Sequence, residues 1–122
     1  MLFAGAKAEF ETQVAPTAKS ATGTLTIAEL LTGIIVTSGT AAQSYTLPTG
    51  TLTDAGITAP ALPVNGSFDW SMVNTGTSTA AVTMLAGTGH TIVGAAVVAI
   101  GTSAGFRTRK TAANTFVTYR IR

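Results

Sequence analysis

The basic residues of this chain are concentrated near its C-terminus, where five of the seven lie between residues 105 and 122. Arg107 and Arg109 are two positions apart, the spacing that puts two side chains on one face of a β-strand. Arg120 follows the turn-like segment KTAAN, so we expect it on a neighbouring strand and on the same face. Guanidinium groups bind carboxylates and phosphates. The pattern therefore predicts a positively charged sheet face, which would contact nucleic acid or an acidic protein, or stay solvated and discourage edge pairing.

A nucleic-acid contact is the weakest of these three readings. The net charge of the chain is only +2, which falls short of the basic stripe that nucleic-acid-binding domains present. Strand alternation also predicts that Phe106 and Tyr119 point inward, away from the arginines and unable to stack on bases. We predict no nucleic-acid partner, and docking on an acidic protein surface remains the main functional reading.

The residues that usually perform catalysis or bind metals are scarce. His90 is the only histidine, and its position between Gly89 and Thr91 predicts a surface turn. The five acidic residues are dispersed, and Asp69 is predicted to be a solvated or salt-bridged carboxylate on the outward face of a strand. There is no cysteine. Without a nucleophile, base and acid that the spacing brings together, we predict no enzyme activity, no cofactor and no metal.

The composition is unusual for a free monomer. Charged residues make up 10% of the chain, against roughly 25% in an ordinary soluble domain. A surface with so few charges favours self-association or permanent docking. The most apolar run, residues 92–100, is about half the roughly 20 residues of a membrane span, so we predict no membrane contact and a soluble protein made in the cytoplasm of the expressing cell.

The elements that position these residues fall into an arm and one domain. Residues 1–23 lack sustained periodicity and are predicted to form an extended N-terminal arm, with Phe3, Phe10 and Val14 as apolar anchors. Residues 24–122 are predicted to form a single β domain. It opens with one short helix, because Thr26 and Glu29 have the spacing of a capping box.

The second half carries the clearest strand pattern. In SFDWSMVN, Phe68, Trp70 and Met72 alternate with polar residues, and short strands separated by Gly-rich turns then recur every 8 to 12 residues or so. This spacing is typical of antiparallel all-β domains. We predict an all-β fold, an antiparallel jelly-roll-like sandwich or small barrel.

The segments SFDWSMVNTGTSTAAVTMLAGTG and TIVGAAVVAIGTSAGFRTRKTAANTFVTYRI resemble the C-terminal pattern of small virion proteins of tailed bacteriophages and prophages, in particular capsid decoration, or cement, proteins. The marks are the Asn-Thr-Gly turn after an aromatic strand, the GTG turn, GTSAGF before a basic strand, and the final FVTYRI. The resemblance covers roughly residues 24 to 122, including LTIAELLTGIIVTSGTAAQSYTLPT upstream.

The resemblance implies a compact β domain, often jelly-roll-like and often a homotrimer, which binds the outer surface of the head and clamps neighbouring major capsid protein subunits. The partner-binding residues would then be Phe3, Phe10 and Val14 in the arm and Arg107, Arg109 and Arg120 in the basic strands. The alternative is a head-fibre or tail-fibre module that binds a host-surface receptor. Glycan sites usually display exposed aromatics, and the predicted inward orientation of Trp70, Tyr45 and Tyr119 disfavours that alternative.

Overall fold

The computed structural model describes residues 10–122, which form two mixed β-sheets and two short helices. The six-stranded sheet has the order β1-β3-β5-β9-β10-β7 and the four-stranded sheet the order β2-β4-β6-β8. The strands are β1 (Thr17–Lys19), β2 (Gly23–Thr24), β3 (Ile34–Thr37), β4 (Gln43–Thr46), β5 (Ser67–Asn74), β6 (Val82–Leu85), β7 (His90–Val93), β8 (Val97–Val98), β9 (Ser103–Ala112) and β10 (Thr115–Arg120). The prediction of a mainly β domain is confirmed.

The antiparallel arrangement is wrong for most of the fold. From β1 to β8 the chain enters the two sheets in strict alternation, so each strand pairs with one that is not its neighbour in sequence. β1 pairs with β3, β3 with β5, β2 with β4 and β4 with β6, all in parallel, and β10 pairs with β7 in parallel. In the four pairs from β1 to β6, the chain passes once through the opposite sheet between the two partners and returns in its original direction, so the pairing is parallel.

Among the described strands, every antiparallel pair includes β8 or β9. β9 lies between β5 and β10 and is antiparallel to both, and β8 is antiparallel to β6. Only β9 and β10 are joined by a tight hairpin, which turns at Asn114 in the left-handed conformation (φ 55°). The ten-residue β9 spans the centre of the large sheet and carries Arg107 and Arg109 on its length.

The sheets begin within the segment predicted as an arm, because β1 and β2 lie between residues 17 and 24. Residues 10–16 precede the first strand and have no regular secondary structure, and Gln13 Nε2 donates a 2.6 Å hydrogen bond to the carbonyl of Thr32. The arm side chains Phe10 and Val14 are 88% and 54% exposed. Phe3 lies outside the described residues.

Helix α1 (Ile27–Leu30) has the capping box that the sequence predicts. The Thr26 hydroxyl accepts from the Glu29 amide and a Glu29 carboxylate oxygen accepts from the Thr26 amide. A second helix, α2 (Gly50–Gly56), follows the N-cap residue Thr49 and is longer than α1, so the expectation of one helix is wrong. The side-chain oxygen of Thr49 accepts from the amide of Leu52.

The core lies between the two sheets, and both contribute to it. Trp70 of β5 stacks on Phe106 of β9 with ring centroids 4.5 Å apart. Tyr45 from the four-stranded sheet is also buried, as predicted. The remaining core side chains are mainly aliphatic and come from both sheets and the segments that flank them: Leu25, Leu30, Ile35, Leu47, Met72, Val82, Met84, Val98 and Ala104.

Candidate functional site: the outer face of the six-stranded sheet

The residues of the predicted positive face are brought together on the outside of the large sheet. The register places Asp69 opposite Arg107 and Arg107 opposite Tyr119. These residues alternate with core residues such as Phe106, so their side chains point away from the core. Arg109, two residues further along β9, points to the same side. Arg122, whose position is described below, lies on the same side. We call this surface the arginine face, and it consists of Asp69, Arg107, Arg109, Tyr119 and Arg122.

Arg107 and Asp69 form a two-pronged ion pair across β5 and β9. Nε of Arg107 donates to Oδ1 of Asp69 at 2.7 Å and Nη2 donates to Oδ2 at 3.0 Å. The hydrogen bonds from Arg107, together with the charges of Arg107 and Arg122, hold the pKa of the Asp69 carboxyl below its usual value. The prediction that Asp69 is an outward, salt-bridged carboxylate is confirmed, and half of the Arg107 side chain remains exposed.

Arg109 lies over the ring of Tyr119. Its guanidinium carbon is 5.9 Å from the ring centroid, within the range of a cation–π contact. Nη1 of Arg109 lies 3.4 Å from the side-chain oxygen of Asn65, a long hydrogen bond, and its Nε has no acceptor among the described residues. The positive charge of Arg109 is thus balanced by no carboxylate in the described chain, unlike that of Arg107.

Arg122 reaches this face because Gly105 has no side chain. The amides of Ile121 and Arg122 both donate to the Gly105 carbonyl, which brings the chain end alongside β9. A Cβ atom on Gly105 would lie 2.7 Å from Nε of Arg122. Arg122 is not among the residues predicted to bind a partner. The signal for it is Gly105, a glycine within an otherwise strand-forming segment, which indicates close approach by another group.

Arg120 does not belong to the arginine face, and the prediction that it shares a face with Arg107 and Arg109 is wrong. It lies opposite Phe106 in the register, and opposed residues in an antiparallel pair project to the same side. Nη1 of Arg120 donates to the carbonyls of Ala95 (3.3 Å) and Val97 (2.6 Å). The side chain therefore joins the end of β10 to β8 of the other sheet.

The predicted inward orientation of Tyr119 is also wrong. Its neighbour Thr118 is buried, so Tyr119 faces outward opposite Arg107. Alternation correctly separates the two sides of β10, but it does not say which side meets the core. The face therefore contains an aromatic ring that the sequence analysis placed in the interior.

His90 is buried, which overturns the prediction of a surface turn. It is the first residue of β7 and only 6% of it is exposed. Its Nε2 lies 2.5 Å from the hydroxyl of Thr118, and its Nδ1 lies 3.2 Å from the carbonyl of Pro48. The Gly-rich segment before it turns back on itself, as its composition predicts, but the histidine itself enters the sheet beside β10.

These contacts belong to a buried hydrogen-bond chain that runs from Trp70 to Pro48. Nε1 of Trp70 donates to the Thr108 hydroxyl at 3.0 Å, and the Thr108 and Thr118 hydroxyls are 2.8 Å apart. Every polar group in this chain of hydrogen bonds has a partner if the Thr108 hydroxyl donates to Thr118, the Thr118 hydroxyl donates to Nε2 of His90, and Nδ1 of His90 donates to the carbonyl of Pro48. This arrangement requires a neutral imidazole. The buried position of His90 and both threonines makes the chain a structural element of the core.

We expect the protein to lose stability as the pH falls below about 6.5. Burial lowers the pKa of His90 in the folded state. The unfolded chain therefore binds a proton first, and the free energy of unfolding falls between the unfolded and folded pKa values of His90. In the register, Phe116 lies between His90 and Lys110, and Lys110 forms an ion pair with Asp54.

The measurement is the melting temperature at pH 8, 7, 6 and 5. His90→Asn is the control, because it lacks the titrating group. We expect it to be less stable than the wild type at pH 8 and to show no fall between pH 7 and 5. A wild-type melting temperature that stays constant over this range would contradict the buried neutral imidazole.

The remaining basic side chain of β9 has a structural role. Nζ of Lys110 donates to Oδ1 of Asp54 in α2 (2.7 Å) and to the carbonyl of Leu62 (3.1 Å). Oδ2 of Asp54 accepts from the amide of Asn114 in the hairpin. The hydrogen bonds from Lys110 and Asn114 lower the pKa of Asp54. This pair fixes α2 and the 57–66 loop against the hairpin that carries the arginine face.

Within residues 10–122, no three His, Asp or Glu side chains are grouped as a metal site would require, and neither helix is long and apolar enough to cross a membrane. A scan against protein-family models, a search of curated proteins and a search of solved structures each found no match.

Proposed function

We propose that this protein is a structural virion protein of a tailed bacteriophage that decorates the capsid. It binds the outer surface of the major capsid protein shell as a homotrimer and stabilises the head. In this proposal the protein acts by contact, without catalysis or cofactor, and resides on the outer surface of the virion. The motif resemblance across residues 24–122 supplies the class of partner.

The observation that carries the proposal is the one-sided placement of the arginines. Arg107, Arg109 and Arg122 lie on the outer face of the large sheet, with Asp69 as the one acid among them. The strands of the four-stranded sheet contain no Asp, Glu, Lys or Arg. A sheet face with an excess of guanidinium groups complements an acidic protein surface, and charge complementarity of this kind provides orientation and a faster association rate.

The arm supports the same proposal. Phe10 and Val14 precede the first strand and are largely exposed, so they add apolar contact area outside the sandwich. A segment that becomes ordered on a partner extends the interface at an entropic cost. Many identical copies on one shell then convert modest single contacts into strong collective binding.

The test is co-sedimentation of the purified protein with heads assembled from its cognate major capsid protein. We expect saturable binding that weakens as salt rises from 50 to 500 mM, because the exposed charges are screened. Arg109→Gln should weaken binding about tenfold, equivalent to roughly 1.4 kcal/mol, without changing the melting temperature.

Lys19→Gln is the matched control for charge. Lys19 pairs with Glu29 and lies opposite buried Thr37 in the register, away from the arginine face. The Lys19→Gln substitution removes one positive charge, as Arg109→Gln does, and we expect its binding to heads to stay within twofold of the wild type. Equal losses in both variants would show a net-charge effect, and no binding of the wild type to heads would refute the proposal.

One observation supports the alternative function, a fibre module that binds a host-surface receptor. Tyr119 lies on the outer face beside Arg109 and is partly exposed, and an aromatic ring next to hydrogen-bond donors is common at glycan sites. Binding of the protein to host cells but not to heads, with loss of that binding in Tyr119→Ala, would favour this alternative.

A further inference from the structure

The outer side of the large sheet continues beyond the arginines into apolar side chains. The register aligns Asp69, Arg107, Tyr119 and Val93 in one row across β5, β9, β10 and β7. Residues aligned in this way on neighbouring strands project to the same side of a sheet, so Val93 shares the outer side with Arg107 and Tyr119. Val93 is 49% exposed. The charged part of this row is therefore followed directly by an uncovered aliphatic side chain.

The next row repeats this order, with Arg109 on β9 and Val117 on β10. Val117 and Tyr119 are both partly exposed. We call Val93, Val117 and Tyr119 the apolar band, which shares Tyr119 with the arginine face. On this side of the sheet, β7 and β10 carry no charged side chain. The apolar band and the arginines thus lie next to each other on one surface.

Arg109 lies at the boundary between the charged and the apolar residues. Asp69 already balances Arg107, whereas Arg109 has no carboxylate partner among the described residues. The guanidinium of Arg109 lies over the ring of Tyr119, and a planar guanidinium can pair with a carboxylate while it stays stacked on a ring. A partner carboxylate that binds Arg109 would therefore bring its neighbouring side chains over the apolar band.

We propose that the arginine face and the apolar band form one docking surface for an acidic segment of the capsid protein that also carries an aliphatic or aromatic side chain. This inference rests on the proposed function and adds an apolar half to the contact. Charge complementarity selects the carboxylate, because Arg109 lacks one. Val93 lies two strands from β9, so the apolar side chain must be roughly 10 to 12 Å from that carboxylate.

The experiment measures the dissociation constant for heads of the cognate major capsid protein at 50 and 500 mM salt. Val93→Thr should raise this constant about fivefold at both salt concentrations. Threonine has nearly the shape of valine, but its hydroxyl loses water when a partner covers it. Arg109→Gln should show its loss mainly at 50 mM, because salt screens the charge of Arg109 and leaves apolar contacts in place. The two variants thus separate the two halves of the surface.

Val97→Thr is the matched control. Val97 is also 49% exposed, but it lies opposite Thr83 on the outer side of the four-stranded sheet. We expect the control to bind heads within about twofold of the wild type, and both variants to keep the wild-type melting temperature because both valines are half exposed. If Val93→Thr is destabilised, Val117→Thr tests the same band.

The outcomes distinguish this inference from the proposed function. Wild-type binding of Val93→Thr and Val117→Thr to heads would overturn the apolar half of the contact and leave the proposed function standing. Equal losses in Val93→Thr and Val97→Thr would also overturn it, because the loss would not depend on the outer side of the large sheet. Failure of the wild type to bind heads would refute both.

Discussion

Gly50→Ala should prevent folding or lower the free energy of unfolding by about 3 kcal/mol or more. A Cβ atom at this position would lie 1.9 Å from the backbone oxygen of Asn114 and 2.9 Å from that of Gly89. Both obstacles are backbone atoms, so no side-chain rotation relieves the overlap. The start of α2, the turn before β7 and the β9–β10 hairpin meet here, and all three would have to separate.

Urea unfolding followed by the fluorescence of Trp70, the only tryptophan, measures this effect. Gly23→Ala is the matched control, because no atom lies within 4 Å of a Cβ placed there. We expect the control to unfold within 0.5 kcal/mol or so of the wild type. If Gly50→Ala unfolds at the same urea concentration as the control, the start of α2, the turn before β7 and the β9–β10 hairpin do not approach each other as closely as described.

Thr118→Val should lower the free energy of unfolding by about 2–4 kcal/mol, although valine has nearly the same shape as threonine. The Thr118 hydroxyl is the link between Thr108 and His90. Its removal leaves the Thr108 hydroxyl and Nε2 of His90 without these partners in a buried site, and each unsatisfied group costs about 1–3 kcal/mol.

The same unfolding measurement on Thr83→Val provides the comparison. Thr83 is a half-buried β6 residue whose hydroxyl makes no hydrogen bond within the described residues, so we expect a change of about 0.5 kcal/mol at most. Equal stability of Thr118→Val and Thr83→Val would mean that the buried chain contributes nothing to the fold. A large loss of unfolding free energy in Thr118→Val alone would show that the buried hydrogen bonds hold β7, β9 and β10 together.

Local features were accessible from the sequence. Thr26 and Glu29 cap α1 through contacts three residues apart, so their spacing is sufficient to predict them. Burial of Trp70 and exposure of Asp69 follow from strand alternation within one segment. Each of these features depends on residues that are close in sequence, and there the physical rules are strong enough to decide the outcome.

The placement of the arginine face depends on which strands meet, and that is a property of the whole chain. Alternation assigns residues to two sides of a strand but does not say which side is covered, which is why Tyr119 and Arg120 were each predicted on the wrong side. Short strands with turn-like connections are equally compatible with hairpins and with a chain that crosses to the opposite sheet. The chain crosses to the opposite sheet at each connection from β1 to β6, which produces four parallel pairs, and the pairing of β7 with β10 brings His90 beside buried Phe116.

Composition and periodicity thus determined that this chain forms a mainly β domain with few charges and an arginine-bearing strand near its end. Tertiary structure alone decided that Tyr119 faces outward beside Arg107 and Arg109 while Arg120 joins the two sheets. The physical reason is that burial of one sheet face is settled by the packing of the other sheet, whose strands come from distant parts of the sequence.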